Sequence, residues 1–123
     1  RREAVRMSEH DLLALFIREA PKALPDLRVF RRNIIRRKVA IEGRPVMLVN
    51  GIPGQGDAYA LLRGGRHVEI ETKVAKGRMR EAQERWRDFC AAWGVPHLVM
   101  QARKDEPADA TVARWIEELR GVL

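Results

Sequence analysis

The chain has 123 residues, of which 46% are hydrophobic, and a net charge of +7. This length fits one folded domain over residues 1–123, and no stretch approaches the roughly 20 apolar residues of a membrane span, which excludes an integral membrane protein. A single cysteine, Cys90, excludes an internal disulfide and a zinc site built from cysteines. The opening Arg1, Arg2 and Glu3 do not resemble a secretion signal, so we expect a cytoplasmic protein that is not secreted.

The N-terminal half predicts one helix followed by short strands. Ser8 with Asp11 three residues later forms an approximate capping box, an apolar stripe follows, and Pro21 is expected to end the helix. Residues 28–35 have strand character. Residues 39–41 and 46–49 predict a hairpin, and the glycine- and proline-rich residues 50–56 predict a loop.

The C-terminal half predicts a strand pair, a helix, a strand and a last helix. Residues 57–62 and 67–73 form the pair, and residues 95–100 the buried strand. Both helices are expected to turn apolar faces to the core, and the three tryptophans to pack there. These faces comprise Met79, Ala82, Trp86, Phe89, Cys90 and Trp93 in the first helix, and Val112, Trp115, Ile116 and Leu119 in the second. The order predicts an α/β fold, a mixed central sheet flanked by helices.

The strand at residues 67–73 carries the residues of greatest chemical interest. Alternation places Glu71 and Lys73 side by side on one face, and Asp57 opens the preceding strand. A divalent cation such as Mg²⁺ binds carboxylate oxygens, and an adjacent ammonium stabilises charge that develops on a phosphate. The same alternation is also typical of a solvated sheet face with cross-strand ion pairs, so these residues alone leave both interpretations open.

The candidate site makes one geometric demand. A two-residue loop at Gly64-Gly65 would pair Asp57 with Thr72, which faces away from Glu71. We therefore predict a loop with an odd number of residues, a bulge, or a bend at Gly56.

The order of these residues resembles a known nuclease family. Gly56-Asp57 followed by Glu71-Thr72-Lys73 is similar to the Asp…Glu-x-Lys signature of the restriction-endonuclease-like, or PD-(D/E)xK, superfamily. Residues 73–79 followed by Gln83 look like the run after the catalytic lysine in its virus-type replication-repair nuclease (VRR-NUC) domain, and Ser8-Glu9 corresponds to a glutamate used near the metal. The resemblance covers roughly residues 8–105 and implies a restriction-endonuclease-like core.

The resemblance also implies roles. The implied ligands of Mg²⁺ or Mn²⁺ are Glu9, Asp57, Glu71 and the Thr72 carbonyl. The implied catalytic residues are Asp57, Glu71, Lys73, which supplies the amine, and Gln83, which faces the site from the helix. Glu9 has an equally ordinary explanation, because any acidic residue is favoured in a first helical turn. The chain departs from the family at Gly56, where proline is usual, and at Ala75 and Arg80 around the turn. These departures touch no ligand.

Two basic clusters suit an anionic partner. Arginine supplies 19 of the 24 basic residues, and guanidinium groups bind phosphate oxygens in a bidentate manner, although a merely solvated basic surface stays an alternative. Neither cluster is interleaved with aromatic residues, so we expect recognition of phosphates rather than base stacking. The clusters are Arg31, Arg32, Arg36, Arg37 and Lys38, which contact either DNA or a partner subunit, and Lys76, Arg78 and Arg80, which contact DNA.

The function that follows is a structure-selective, metal-dependent endodeoxyribonuclease. Stand-alone members of the resembled family are typically viral or bacterial, and several act as dimers on four-way (Holliday) junctions, which implies branched DNA as substrate, a homodimer, and a bacterial or phage-infected cell. The alternatives are a related nuclease for DNA ends or flaps and a non-catalytic nucleic-acid-binding module, which would keep the arginines and need no metal.

Overall fold

The computed structural model describes residues 7–123, so the expectation drawn from Arg1, Arg2 and Glu3 lies outside the described residues. Three helices and six strands follow one another along this part of the chain. They are α1 (Glu9–Ala23), β1 (Leu27–Arg31), β2 (Arg36–Ile41), β3 (Arg44–Val49), β4 (Ala58–Leu62), β5 (His67–Lys73), α2 (Glu81–Ala92), β6 (His97–Gln101) and α3 (Ala108–Arg120).

The central sheet has four strands in the order β1-β4-β5-β6. The pairs β1–β4 and β4–β5 are antiparallel, whereas β5–β6 is parallel, which makes the sheet mixed. Helices α1 and α3 pack together on one face, and α2 lies over the other. The predicted α/β fold, a mixed sheet flanked by helices, is confirmed, and the arrangement is consistent with a restriction-endonuclease-like core.

The core fills the space between the sheet and the helices α1 and α3. Val68 and Ile70 of β5 point into it, as strand alternation predicts, and Phe16 meets Trp115 edge to face with ring centroids 6.0 Å apart. The predicted inward face of α3 is confirmed, because its four apolar residues are all buried. The core thus fixes β5 from one side only, and its other face carries the acidic residues and the lysine.

Four predicted features differ in the structure. Strand β6, which the sequence predicted to be buried, lies at the edge of the sheet, and Met100 is the one buried residue among its five. Helix α1 continues past Pro21 to Ala23, since a proline in the last turn removes only one backbone hydrogen bond. Strand β1 ends at Arg31, where the chain leaves the sheet. In α2 the expected apolar core face is wrong: Phe89 is 41% and Trp93 is 73% exposed, because α2 meets the sheet over polar side chains rather than apolar ones.

Strands β2 and β3 form a separate two-stranded hairpin, in which Val39 pairs with Val46. Its base is tied to the segment after β1 because the Asn50 side chain accepts a hydrogen bond from the Ile35 amide and donates one to the Asn33 carbonyl. The hairpin therefore begins and ends beside the N-terminal end of β4. Between residues 7 and 123, no helix is both long and apolar enough to cross a membrane.

Candidate active site

Asp57 lies directly before β4, and the pairing of β4 with β5 decides what it faces. Ala58 pairs with Ile70, so one further step along the ladder places Asp57 opposite Glu71. The Leu62 amide donates to the Arg66 carbonyl at 2.9 Å, which leaves three residues, numbers 63–65, in the connecting loop. The predicted odd loop length is therefore confirmed, and it removes the register in which Asp57 would have paired with Thr72.

The Asp57 carboxylate is held by its neighbour on β5. Its Oδ2 accepts hydrogen bonds from the Thr72 amide at 2.9 Å and from the Thr72 hydroxyl at 3.0 Å. Gly56 makes this approach feasible, because a Cβ there would lie 2.3 Å from the Ile70 carbonyl oxygen. The position where the resembled family usually has proline thus has to lack a side chain in this chain.

Glu9 approaches the same place from the start of α1. Ser8 caps the helix by accepting a hydrogen bond from the Asp11 amide, which confirms the predicted cap. The Glu9 Oε1 atom lies 3.4 Å from the Thr72 hydroxyl. Burial first, and the nearby Asp57 charge second, raise the pKa of Glu9. Glu9 and Asp57 therefore flank one hydroxyl and repel each other when both are ionised.

Glu71 is the most unusual carboxylate of the site. It is only 2% exposed, and its Oε1 accepts a hydrogen bond from the Gln83 side chain at 2.8 Å. Its Oε2 is buried without a hydrogen-bond partner in the described part of the chain. Burial, followed by the charge of Asp57, raises the pKa of Glu71 to about 8. Without an added cation, this carboxyl group carries a proton at neutral pH.

Lys73 and Gln83 complete the group. Lys73 is 9% exposed, and its Nζ donates to Gln83 Oε1 at 2.7 Å and lies 3.6 Å from Glu71 Oε1. The same Gln83 oxygen accepts the Arg80 amide at 2.8 Å, where α2 begins. Gln83 therefore joins the catalytic candidates of β5 to the helix start, which is where the resemblance placed it.

The residues present fit a divalent cation in type and charge. Among residues 7–123, no three Asp, Glu, His or Cys side chains already converge as a metal-holding group, because Asp57 and Glu9 turn toward Thr72. The Glu71 oxygen that lacks a donor supports this fit, since a cation supplies what it lacks; without a cation, the proton that this carboxyl group retains is shared with Asp57. Asp57 and Glu71 would hold the ion, with Glu9 adjacent; the role of the Thr72 carbonyl stays a prediction.

Comparisons with known proteins add little. The chain matches no protein-family profile and no curated protein. It is similar to the crystal structure of paFAN1 bound to 1nt 5′-flap DNA with a gap, at 28% identity over 41% of this chain and 9% of that chain. The chain therefore spans a small fraction of that protein's length. With a TM-score of 0.38, the likeness carries no weight beside the geometry of the site itself.

A surface groove leads to the carboxylates from the side of α1 and β1. Arg31 donates from its side chain to the His10 ring and carbonyl, which holds it on the wall of the groove. Glu71 and Lys73 lie beneath the surface, so the groove reaches the site through Glu9 and Asp57. The groove is lined by Glu9, His10, Leu13, Arg31, Arg32, Asn33, Ile34, Asp57 and Thr72.

The first predicted basic cluster does not form one surface. The Arg32 side chain is only 16% exposed, and its guanidinium is paired with Glu69 instead of facing solvent as the predicted phosphate contact would need. Arg36 and Arg37 occupy successive positions of β2 and point to opposite faces of the hairpin. Arg31 borders the groove instead. Strand alternation and one buried acid thus divide the cluster.

The second basic cluster is larger than the sequence indicated. Lys76 lines a cleft together with Arg103 and Lys104, which follow β6. The Gln101 side-chain nitrogen lies 3.0–3.2 Å from the carbonyl oxygens of Val74, Ala75 and Gly77, and its two N–H groups tie the segment after β5 to the end of β6. Arg78 and Arg80 are exposed nearby in the chain. Arg103 and Lys104 are missing from the cluster predicted from sequence, because the sequence does not indicate that β5 and β6 pair in parallel. That pairing places the C-terminal ends of both strands at one edge of the sheet.

Proposed function

We propose that this protein is a DNA nuclease that uses Mg²⁺ or Mn²⁺, held by Asp57 and Glu71, to hydrolyse phosphodiester bonds. The unpartnered, buried oxygen of Glu71 carries the proposal. A carboxylate that served only an ion-pair network would be expected to have both oxygens satisfied. Here one oxygen receives no donor from the described residues, and the carboxyl group as a whole lies beside Asp57 and Lys73. This is the arrangement expected of a site that awaits a cation.

Each residue of the site then has a role. When bound, the cation supplies Lewis-acid activation of the phosphate and of a water molecule. Thr72 orients the Asp57 carboxylate through its amide and hydroxyl. Lys73 Nζ donates a hydrogen bond to the attacking water or to a phosphate oxygen, which stabilises the negative charge that grows there. Gln83 holds that ammonium in place by accepting one of its hydrogens.

DNA is the proposed substrate because cationic side chains border the site on two sides. Arg31 lines the groove at Glu9 and Asp57, and Lys76, Arg103 and Lys104 line the cleft next to Val74. Such groups bind backbone phosphates without reading sequence, which favours selection by shape. We therefore propose a branched DNA, such as a four-way junction. A related nuclease for flaps or ends would use the same carboxylates and lysine.

Cleavage assays test the proposal and separate its alternatives. Wild-type protein is incubated with plasmid, four-way junction, flap and linear duplex DNA in Mg²⁺, in Mn²⁺ and in chelator. We expect metal-dependent cleavage, fastest on the junction, and a loss of about 100-fold or more in Asp57→Ala and Lys73→Ala. Glu117→Ala, in an exposed position of α3, is the control and retains activity. Wild type that retards DNA in a gel but cleaves none would instead be a non-catalytic binding module.

We also propose a homodimer, formed through α2 and the loop beside it. Ile52, Phe89 and Trp93 are each at least 41% exposed. Phe89 stacks on Trp93 with centroids 5.0 Å apart, and it shares a cleft with Ile52. Monomers rarely expose large apolar patches.

The charge of α2 favours a second copy of this chain as the occupant. Helix α2 has three acidic and two basic residues, a charge of −1 in a chain of +7. Two basic chains repel least where this helix faces the partner, whereas DNA phosphates would gain nothing from it. A twofold axis at this helix would also suit a symmetric junction.

Sedimentation equilibrium tests the dimer. We expect a dimer for wild type at micromolar concentration and a monomer for Trp93→Ser, because truncation of a central aromatic side chain removes much of the binding energy. Met47→Ser, at a 50% exposed position of the hairpin, is the control and stays dimeric. A monomeric wild type, or a dimeric Trp93→Ser, would refute this interface.

A further inference from the structure

Glu69 lies one strand repeat from Glu71 on the same face of β5, and it is equally buried at 2% exposure. Unlike Glu71, it is saturated with donors. Arg32 approaches its two oxygens at 2.6 and 2.9 Å, the Trp86 indole donates to Oε1 at 3.2 Å, and the His67 ring contacts Oε2. Glu69 therefore has no oxygen left for a metal or a substrate, and its role lies in what it holds.

Arg32 connects Glu69 to the loop that carries Asp57. Its Nη1 also donates to the Gly56 carbonyl at 3.0 Å, and its backbone amide donates to the Asp57 carbonyl at 2.8 Å. The two carbonyls flanking the Asp57 α-carbon thus accept hydrogen bonds from a single residue. The Tyr59 ring lies 5.1 Å from the guanidinium carbon and limits its movement on one side.

We propose that Arg32 and Glu69 form a positioning clamp that fixes the backbone of Asp57 beside β5, the position from which its carboxylate binds the divalent cation. The inference rests on the proposed function. A metal ligand must be held within about 0.5 Å of its working position, and residues that orient such ligands typically contribute 10- to 100-fold in metal affinity. Through Trp86 the same pair also holds α2, the helix that supplies Gln83, so one buried pair sets both sides of the site.

A merely structural ion pair would behave differently. Replacing a buried Arg–Glu pair by neutral side chains of similar size is often without cost to stability, whereas removing one partner leaves an unpaired buried charge. A double replacement therefore removes the clamp and keeps the fold. If the pair served stability alone, the double variant would still bind metal as wild type does.

Mn²⁺ titration by calorimetry on DNA-free protein is the first test. The first variant is Arg32→Met/Glu69→Gln, in which the glutamine oxygen still accepts the hydrogen bond from Trp86. The second is Arg32→Lys, which keeps the positive charge but lacks the planar guanidinium that donates to Glu69 and Gly56 together. We expect Mn²⁺ affinity to fall 10- to 100-fold in both, with Tm within about 5 °C of wild type. The control is Arg114→Met/Glu106→Gln, a similarly buried bidentate pair far from Asp57 in the sequence. It should retain the wild-type Mn²⁺ affinity.

Hydrogen exchange on metal-free protein separates the clamp from the proposed function. The Thr72 amide donates a hydrogen bond to the Asp57 carboxylate. If the clamp holds Asp57 in place, this amide should exchange faster in the Arg32→Met/Glu69→Gln variant than in wild type, whereas the amides of α3 should exchange at unchanged rates. If wild type binds no Mn²⁺ but the double variant still shows this exchange pattern, the proposed nuclease function and the metal role of the clamp are refuted. The conclusion that Arg32 and Glu69 position Asp57 against Thr72 would remain. Wild type that binds Mn²⁺, together with a double variant within about twofold of it, would refute the clamp alone.

Discussion

Glu69 and Glu71 show how strongly local contacts decide the chemistry of one residue type. Both lie on the same face of β5 and are almost fully buried. Although burial opposes it, hydrogen bonds from Arg32 and His67 hold the pKa of Glu69 below its usual value. Burial and the charge of Asp57 raise the pKa of Glu71 to about 8. The first carboxylate is a fixed anion of the scaffold, and the second is open to a cation.

The raised pKa of Glu71 predicts how stability depends on pH without metal. The unfolded chain ionises near pH 4.5, whereas the folded protein keeps the proton up to about pH 8, so stability is present below pH 4.5 and is lost as pH rises toward 8. The loss is at most about 1.4 kcal/mol per pH unit. Glu71→Gln should therefore gain stability relative to wild type between pH 5 and 8.

Urea unfolding in chelator at pH 5 and pH 8 measures this difference. Glu117→Gln, at an exposed position, should track wild type at both values. Equal stability differences between wild type and Glu71→Gln at the two pH values would show that Glu71 is ionised in the folded protein.

At the scale of the element, α2 is positioned by the loop before β4 more than by apolar packing. Gly54 has a φ of +87° and approaches the first turn of α2 so closely that a Cβ would lie 2.0 Å from the Ala82 carbonyl oxygen. Among the residues of α2, Cys90 is the one that is fully buried. The position of Gln83 therefore depends on this one backbone contact and on the polar bonds to β5.

Gly54→Ala should displace α2 and with it Gln83. We expect a loss of about 3 kcal/mol or more of unfolding free energy, since backbone strain of 1–3 kcal/mol adds to the steric overlap, together with lower nuclease activity. Gly65→Ala is a matched control, because Gly65 has a similar φ of +89° with nothing within 4 Å. Chemical denaturation of both variants measures the difference, and equal losses would mean that the loop does not seat the helix.

At the scale of the whole molecule, three basic side chains from two distant segments line one cleft at one end of the sheet. The C-terminal ends of the parallel strands β5 and β6 place Lys73 and Gln101 side by side, and the loops that follow bring Lys76, Arg103 and Lys104 together. Two acids line the same cleft, Asp105 and Glu106, and Glu106 is engaged by Arg114, whose hydrogen bonds lower the pKa of Glu106 to about 2. The cleft therefore keeps a net positive charge next to the candidate site.

The salt dependence of DNA binding tests this distribution. Arg103→Ala/Lys104→Ala should reduce the slope of log K against log salt by about 2, because each phosphate contact contributes close to one unit. Arg63→Ala/Arg66→Ala removes the same charge at the opposite end of β4 and β5 and should leave the slope nearly unchanged. Binding titrations between low and moderate salt give both slopes. Equal slopes for the two variants would indicate general electrostatic attraction rather than a phosphate track.

The sequence by itself determined the kinds and order of elements, the face shared by Glu71 and Lys73, and the helix cap at Ser8, because alternation, periodicity and capping depend on residues close in the chain. The same local rules misplaced the end of α1 at Pro21 and the aromatic side chains of α2. The proline stop signal and the helical periodicity carry no information about the surface against which a helix packs. Sequence could state only that an irregular connection was needed between Asp57 and Glu71.

Only the tertiary structure decided which connection it is, a three-residue loop, and which charges are buried. It directed Arg32 to Glu69 instead of to solvent, and it left one oxygen of Glu71 without a partner. It also placed Lys76 in one cleft with Arg103 and Lys104, which lie 27 and 28 positions further along the chain. Burial and charge pairing arise between segments distant in sequence, and a desolvated carboxylate changes its pKa only after the strands and helices around it are assembled.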